Sequence, residues 1–301
     1  MSTTGAQVFD RRLKRIQKAR ADSTGYFHYL RDEVARRVVD RIRDVKRELP
    51  ICVDLGCGHG HIAKHLTPGL GSIKKLIQID SSLETVLYNK SNQIQNPNGP
   101  DLHHVCADEE FLPLAPGQID MVVSSLSLSW VNDLVSCLKQ VREALRPDGV
   151  FIGAMLGGDT LQELRSAFAI ADMERLGGLS PHVSPMVNPS DAGALLQEAG
   201  FVISTIDNDE ITCQYPDMFT LMAHLQEMGE NNVALARRPF VSKDVFVAAA
   251  SAYEAMYADQ NGLIPASFHV VYMIGWAPDP TKQQQPLKRG SAQHSLKDIE
   301  S

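Results

Sequence analysis

Cysteine is scarce and scattered in this chain. Its five cysteines, Cys52, Cys57, Cys106, Cys137 and Cys213, are odd in number and form no Cys-x-x-Cys pair. This spacing speaks against a disulfide framework and a cysteine-built zinc site, and it suits a reducing compartment. Long apolar runs are also missing. No stretch nears the ~20 residues that cross a bilayer, and no secretory h-region stands near the start. Arg11 to Arg20 is basic but lacks the other marks of a transit peptide. Positive charge is in deficit. A net charge of -7 argues against a nucleic-acid binder held by bulk electrostatics. No lysine follows the glycine turn in the Walker pattern, which speaks against a P-loop. There is no internal repeat.

What is present begins at Ile51. Ile51-Cys52-Val53 reads as a short buried strand, and Asp54-Leu55-Gly56-Cys57-Gly58-His59-Gly60 follows as an acid and a glycine-rich turn. A helical pattern runs from about Ile62 to Leu66. A strand, a glycine turn and a helix start make a nucleotide site at the carboxyl edge of an open parallel sheet. A tight turn with no ligand would use the same glycines. Further strands confirm the rhythm: Leu76 to Asp80, Val105 to Asp108, Ile119 to Ser125 and Gly149 to Met155. Repeated βα units imply a parallel sheet with right-handed crossovers.

Asp54-Leu55-Gly56-Cys57-Gly58-His59-Gly60, Asp80, Ala107-Asp108 and Leu145-Arg146-Pro147-Asp148-Gly149 resemble the successive motifs of class I S-adenosylmethionine (SAM) dependent methyltransferases. Asp108 to Pro113, Ser124 to Leu134, Gly153 to Leu161, Tyr215-Pro216 and Met228-Gly229-Glu230-Asn231 resemble one branch of that superfamily. The branch holds the malonyl-carrier-protein methyltransferases of biotin synthesis and the arginine-hydroxylating assembly factors of mitochondrial complex I. Phe9 to Arg15 and Tyr272 to Trp276 look most like the assembly factors. The resemblance implies a Rossmann-like α/β fold, a mostly parallel seven-stranded sheet with helices on both faces and a helical cap. It implies SAM as cofactor, a complex I subunit bearing the target arginine as partner, and the matrix face of the mitochondrial inner membrane as location.

The site chemistry follows from where acids fall. Asp54 would meet the SAM amino group, with Gly56 and Gly58 letting the backbone approach. Asp80 would accept two ribose hydroxyls, since one carboxylate takes two donors. Asp108, with Glu109 beside it, would face the adenine amine, and Ser125 the sulfonium. Each acid would equally serve as a turn or helix cap. Trp130, Asp133 and Asp159 follow the fourth and fifth strands, where substrate would lie. Trp130 could stack on a guanidinium or be plain core. Asp133 could pair with an arginine or cap a helix. No catalytic residue stands out, because methyl transfer needs chiefly alignment. Hydroxylation needs an oxidant, and none of the ten histidines begins a His-x-Asp or His-x-Glu iron motif. His59, His61 and His65 cluster, but the turn and the adjacent cofactor speak against a metal there, so no metal is expected. Ordinary SAM-dependent methyl transfer to a protein or small acid, and a non-catalytic assembly chaperone, stay as alternatives.

The chain divides into a flexible basic arm over 1–25, a SAM-binding domain over 26–276 and a disordered tail over 277–301. Residues 9–49 hold 13 Lys/Arg against 7 Asp/Glu, a charge that would touch anionic lipid or an acidic partner, or simply cover a solvated helix. A helix is expected from Tyr26 to Leu49. Segments 157–200 and 217–258 are expected as helical cap insertions. Phe201 to Ile206 and Ile211 to Tyr215 read as two strands around an Asp207-Asn208-Asp209 turn, and Ser267 to Trp276 as the last strand.

Overall fold

The computed structural model describes residues 7–24, 28–92, 99–281 and 283. Seven strands form one sheet in the order β3-β2-β1-β4-β5-β7-β6. They are β1 (Ile51–Leu55), β2 (Lys75–Asp80), β3 (Asp101–Cys106), β4 (Ile119–Ser125), β5 (Leu145–Leu156), β6 (Val202–Tyr215) and β7 (Ile264–Trp276). The first five pair in parallel, and β7 runs antiparallel between β5 and β6. In β1, Cys52, Val53, Asp54 and Leu55 are all buried, as expected of a parallel strand covered on both faces. Val53 lies opposite Ile77 on one side and Val122 on the other. The strand order reverses at β1 and β4, so a crevice opens there at the carboxyl edge.

Residues 11–24 depart from the expected flexible arm. Arg11–Thr24 is a helix, α1. Its start is capped by Asp10, whose Oδ1 accepts the Leu13 N–H at 2.9 Å, a contact of ~1 kcal/mol. The segment before it is pinned as well, since Asn132 Oδ1 accepts the N–H groups of Val8 and Phe9, each at 2.8 Å. Lys14, Lys18 and Ala21 are buried. Lys14 and Lys18 therefore face protein, while Arg12, Arg15 and Arg20 of the same stretch stay exposed.

The helix expected over Tyr26 to Leu49 is α2, Tyr29–Arg43. Leu30, Val34, Val38 and Ile42 recur every four residues on its buried face. Leu49 joins the same core without being helical. The short α3 (His61–His65) and α4 (Leu83–Ser91) follow β1 and β2, and α5 (Leu134–Ala144) follows β4. Beyond β5 come α6 (Gln162–Leu176), α7 (Pro189–Glu198), α8 (Met218–Glu227) and α9 (Lys243–Tyr257). Helices α6, α8 and α9 share one core with α2, as a cap would. Helix α7 does not belong to the cap. Its Ala192 and Leu196 pack with Leu138 and Val141 of α5 on the opposite face of the sheet.

The two strands expected around residues 207–209 are one. Asp207 pairs with Tyr272 and Asp209 with Val270 in the β6–β7 ladder. Their carboxylates meet Arg41 and Arg37 of α2, so a turn-like polar triplet stays extended. The final strand starts at Ile264, three residues before the expected Ser267. The beginning of the presumed tail is ordered too: Ala277 N–H donates to Gly149 O at 2.8 Å, and Gln283 Nε2 donates to Asp148 Oδ1 at 3.0 Å. Residues 284–301 lie outside the described residues. Among those described, no helix is long and apolar enough to cross a membrane.

Phe151, in the middle of β5, is fully buried against Phe201, with ring centroids 5.7 Å apart. Phe151→Ala should cost ~3–5 kcal/mol of unfolding free energy, read from urea denaturation. A loss under ~1 kcal/mol would show that the neighbouring core collapses into the gap.

Candidate functional site at the sheet edge

The parallel strands bring the expected acids to one rim. Asp54 ends near the close of β1, Asp80 closes β2, and Asp108 and Glu109 follow β3. Asp80 is fully buried. Its Oδ2 accepts the Gly58 N–H at 3.0 Å and its Oδ1 the Ser82 N–H at 2.9 Å. Asp80 therefore holds the glycine turn itself in shape. Gly56 sits at φ +70°, and a Cβ there would fall 2.0 Å from Ser127 Oγ. Only glycine fits this position. Glu109 is buried, and its Oε1 accepts from Ser127 Oγ at 2.8 Å.

Four cations of α1 face this rim. Lys18 Nζ donates to Asp80 at 3.2 Å and 3.4 Å. Arg11 donates to Asp108 and, at 2.6 Å, to Glu109. Arg15 lies 3.7 Å from Asp108. Lys14 donates to Glu230 at 2.8 Å and sits 3.5 Å from the centroid of the Trp130 ring. Glu230 also takes Arg31 from α2. Burial opposes the charge on Lys18, but Asp80 and Glu109 more than offset it, so its pKa lies above the ordinary lysine value. Burial lowers the Lys14 pKa to about 7 despite the pull of Glu230, and the positive charge of Arg31 adds to the fall.

The remaining expected residues scatter. Ser125 closes β4 at the rim, partly buried. Trp130 is buried at the end of a tight turn, Ser127–Trp130, where it meets Phe9 edge-on as well as Lys14. It walls a cavity, and the cation on its face belongs to the chain. Asp133 is the N-cap of α5, accepting the Ser136 N–H at 3.0 Å, as the capping alternative has it. Asp159 is exposed, with His269 Nδ1 3.9 Å away. Sequence reading missed Arg11, Lys14, Lys18 and Glu230. A signal existed, for residues 11, 14 and 18 share one helix face.

The space is uneven. Between α1 and the acids only about 20 Å³ remains, bounded by Arg11, Lys14, Lys18, Glu109, Ser127 and Trp130. A larger cavity of about 300 Å³ lies beyond Trp130, walled by Leu161, Leu164, Phe168 and Phe246 with His182 and Glu230 at its polar parts. His182 stacks on Phe168 at 4.1 Å and bonds the buried Asp172 at 3.0 Å. Small-molecule pockets run ~300–1,000 Å³. The acid rim thus has the donor and acceptor set for SAM but, with α1 in place, not the room.

This sheet order, with acids on successive strand ends and a glycine turn after β1, defines a class I methyltransferase fold. A family profile described as "Methyltransferase domain" matches residues 53–153. The YcgJ protein of Bacillus subtilis shares the fold at a TM-score of 0.56 and 16% identity, over 81% of this chain and 99% of that one. Within that class the chain belongs to the family of the mitochondrial arginine-hydroxylase NDUFAF5. It is 45% identical to the zebrafish (Danio rerio) member across 99% of this chain and 91% of the relative. A malonyl-[acyl-carrier protein] O-methyltransferase of Methylovorus is 30% identical over 92% of each chain.

Neither oxygen of Asp54 has a hydrogen bond of standard geometry, though the Gln78 amide is near enough to favour its charge. Burial raises its carboxyl pKa to about 7, the Gln78 amide opposes the rise and Asp80 adds to it. The folded chain thus binds this proton more tightly than the unfolded chain does. Its contribution to stability is full below pH ~4 and is lost as pH rises through about 7. Asp54→Asn should lose that slope. Its stability relative to the parent should improve from pH 5 to pH 8 by a few kcal/mol, on the order of 1–4, in denaturant melts. An equal difference at both pH values would show an ionised, well-solvated Asp54.

Proposed function

We propose that this chain hydroxylates an arginine on a subunit of respiratory complex I during assembly of that complex, at the matrix face of the mitochondrial inner membrane. The observation that carries the reading is identity of 45% with a curated arginine-hydroxylase along nearly the whole of both chains. The cavity beyond Trp130 supports it. Its apolar walls suit the methylenes of an arginine, and Trp130 with Glu230 is a corner that already attracts cations.

Hydroxylation by dioxygen turns a C–H into a C–OH. One oxygen atom enters the carbon, the other leaves as water, and a reductant supplies two electrons that combine with two protons. SAM, when bound, supplies a methyl cation and no oxidant. The chain's residues would orient the arginine and keep water from it, and a redox partner would provide the electrons.

Incubating the protein with its complex I subunit and labelled SAM, then weighing the subunit, tests the reading. One added oxygen without label is expected. Label on the subunit would overturn hydroxylation in favour of methyl transfer. An unmodified subunit whose assembly still needs the protein would favour a chaperone. Met222 lines the cavity and is only partly buried. Met222→Trp should cut kcat/KM for the subunit at least ~10-fold, ~1.4 kcal/mol in the barrier, with the melting temperature nearly unchanged. Retained activity would place the arginine elsewhere.

For the cofactor, the retained acids and glycines support SAM binding, with α1 as a plug that must withdraw. Arg11 and Lys18 would then compete with the nucleoside for Asp108, Glu109 and Asp80. Replacing both with alanine should tighten SAM binding in calorimetry. Equal or weaker affinity would mean that the groove takes no nucleoside or that α1 helps to hold one.

A further inference from the structure

Away from the rim, three imidazoles converge from two segments distant in sequence. His28 is the N-cap of α2, His59 lies in the glycine turn, and His61 opens α3. One ligand atom from each lies within 4.8 Å of the others. His28 Nδ1 and His61 Nε2 stand 3.3 Å apart. Two nitrogens bound to one tetrahedral ion at ~2.0–2.1 Å stand about 3.3–3.4 Å apart. The rings are turned across one another, at 73° for His28 and His59 and 53° for His28 and His61.

An orienting carboxylate is in place. Asp32 Oδ1 lies 3.4 Å from His61 Nδ1. With the proton on Nδ1, that nitrogen donates to Asp32 and the Nε2 lone pair is left toward His28, the arrangement that fixes a metal-ligating histidine. Lys64 donates to the same oxygen at 2.9 Å, and His65 Nε2 lies 3.2 Å from it. His65 therefore lies on the Asp32 side, and His28 stands in the third place beside His59 and His61, where no metal is expected from the sequence. The positive groups nearby are matched by acids: Lys64 by Asp32, and Arg31 by Glu230. All three imidazoles line a cavity of about 310 Å³, with Gln78, Asn89 and His104. This cavity shares no lining residue with the one beyond Trp130.

We infer that His28, His59 and His61 bind one divalent first-row transition ion, with zinc the best fit, and leave a fourth position open to this cavity. Three imidazoles suit zinc and its neighbours and offer nothing to calcium or magnesium. Such an ion ties the start of α2 to the glycine turn and to α3.

The test uses the full chain freed of any polyhistidine tag. The protein is dialysed against zinc and its metal content measured by plasma emission. Cobalt(II) then replaces zinc and its visible bands report the geometry. About one ion per chain is expected, with bands of a tetrahedral or five-coordinate nitrogen site. His28 is only partly buried, so His28→Ala should fold and bind at least tenfold more weakly, as should His59→Ala. His103→Ala is the control, since His103 pairs with Asp101 on β3. A parent chain that retains no stoichiometric zinc would overturn the proposal and leave a proton shared by His28 and His61. Parental affinity in both His28→Ala and His59→Ala would overturn it equally.

Discussion

Carboxylates buried at the carboxyl edge of a parallel sheet are the constraint on which this structure turns. Asp54, Asp80 and Glu109 are almost wholly removed from water. A buried charge is tolerated only when it is paired, hydrogen-bonded or neutralised. The three acids use different solutions. Asp80 takes two backbone N–H groups and Lys18. Glu109 takes Ser127 and Arg11. Among the described residues Asp54 meets only the nearby Gln78 amide, and its raised pKa shows the neutral form gaining ground.

The position of α1 follows from those acids. The helix contributes little apolar surface of its own, with Leu13 and Ala21 its main core contacts. Buried ion pairs give little net stability, whereas removing one partner costs ~3–5 kcal/mol. Such pairs therefore specify where α1 lies more than how firmly the protein holds together. The same charges continue through Lys14 to Glu230, Arg31 and the face of Trp130. The rim and the larger cavity are joined by one buried network. A ligand at either place changes the electrostatic surroundings of the other.

A methyltransferase fold and an arginine-hydroxylase family meet in this chain without contradiction. The fold supplies a rim, a glycine turn and a cap with a cavity; chemistry depends on which groups reach the cavity. Neither the rim acids nor the α1 cations carry electrons. Under the proposed hydroxylation their part would be orientation and exclusion of water.

Sequence alone determined the strands and the rim. Apolar runs ending in Asp54, Asp80 and Asp108 are local patterns, and parallel βα connectivity forces those ends to one edge. Glycine at 56 and 58 was legible for the same reason, since positive φ is a property of the residue itself. Tertiary structure decided what faces the acids. Lys18 is 62 positions from Asp80, and Lys14 is 216 from Glu230. A basic helix face reads identically whether it meets water or a row of buried carboxylates. Asp207 and Asp209 look like a turn until Arg41 and Arg37 neutralise them in an extended strand. His28 has no local reason to join His59 and His61. In each case the sequence names the charge or the ligand atom, but only the packing of distant segments supplies its counterpart.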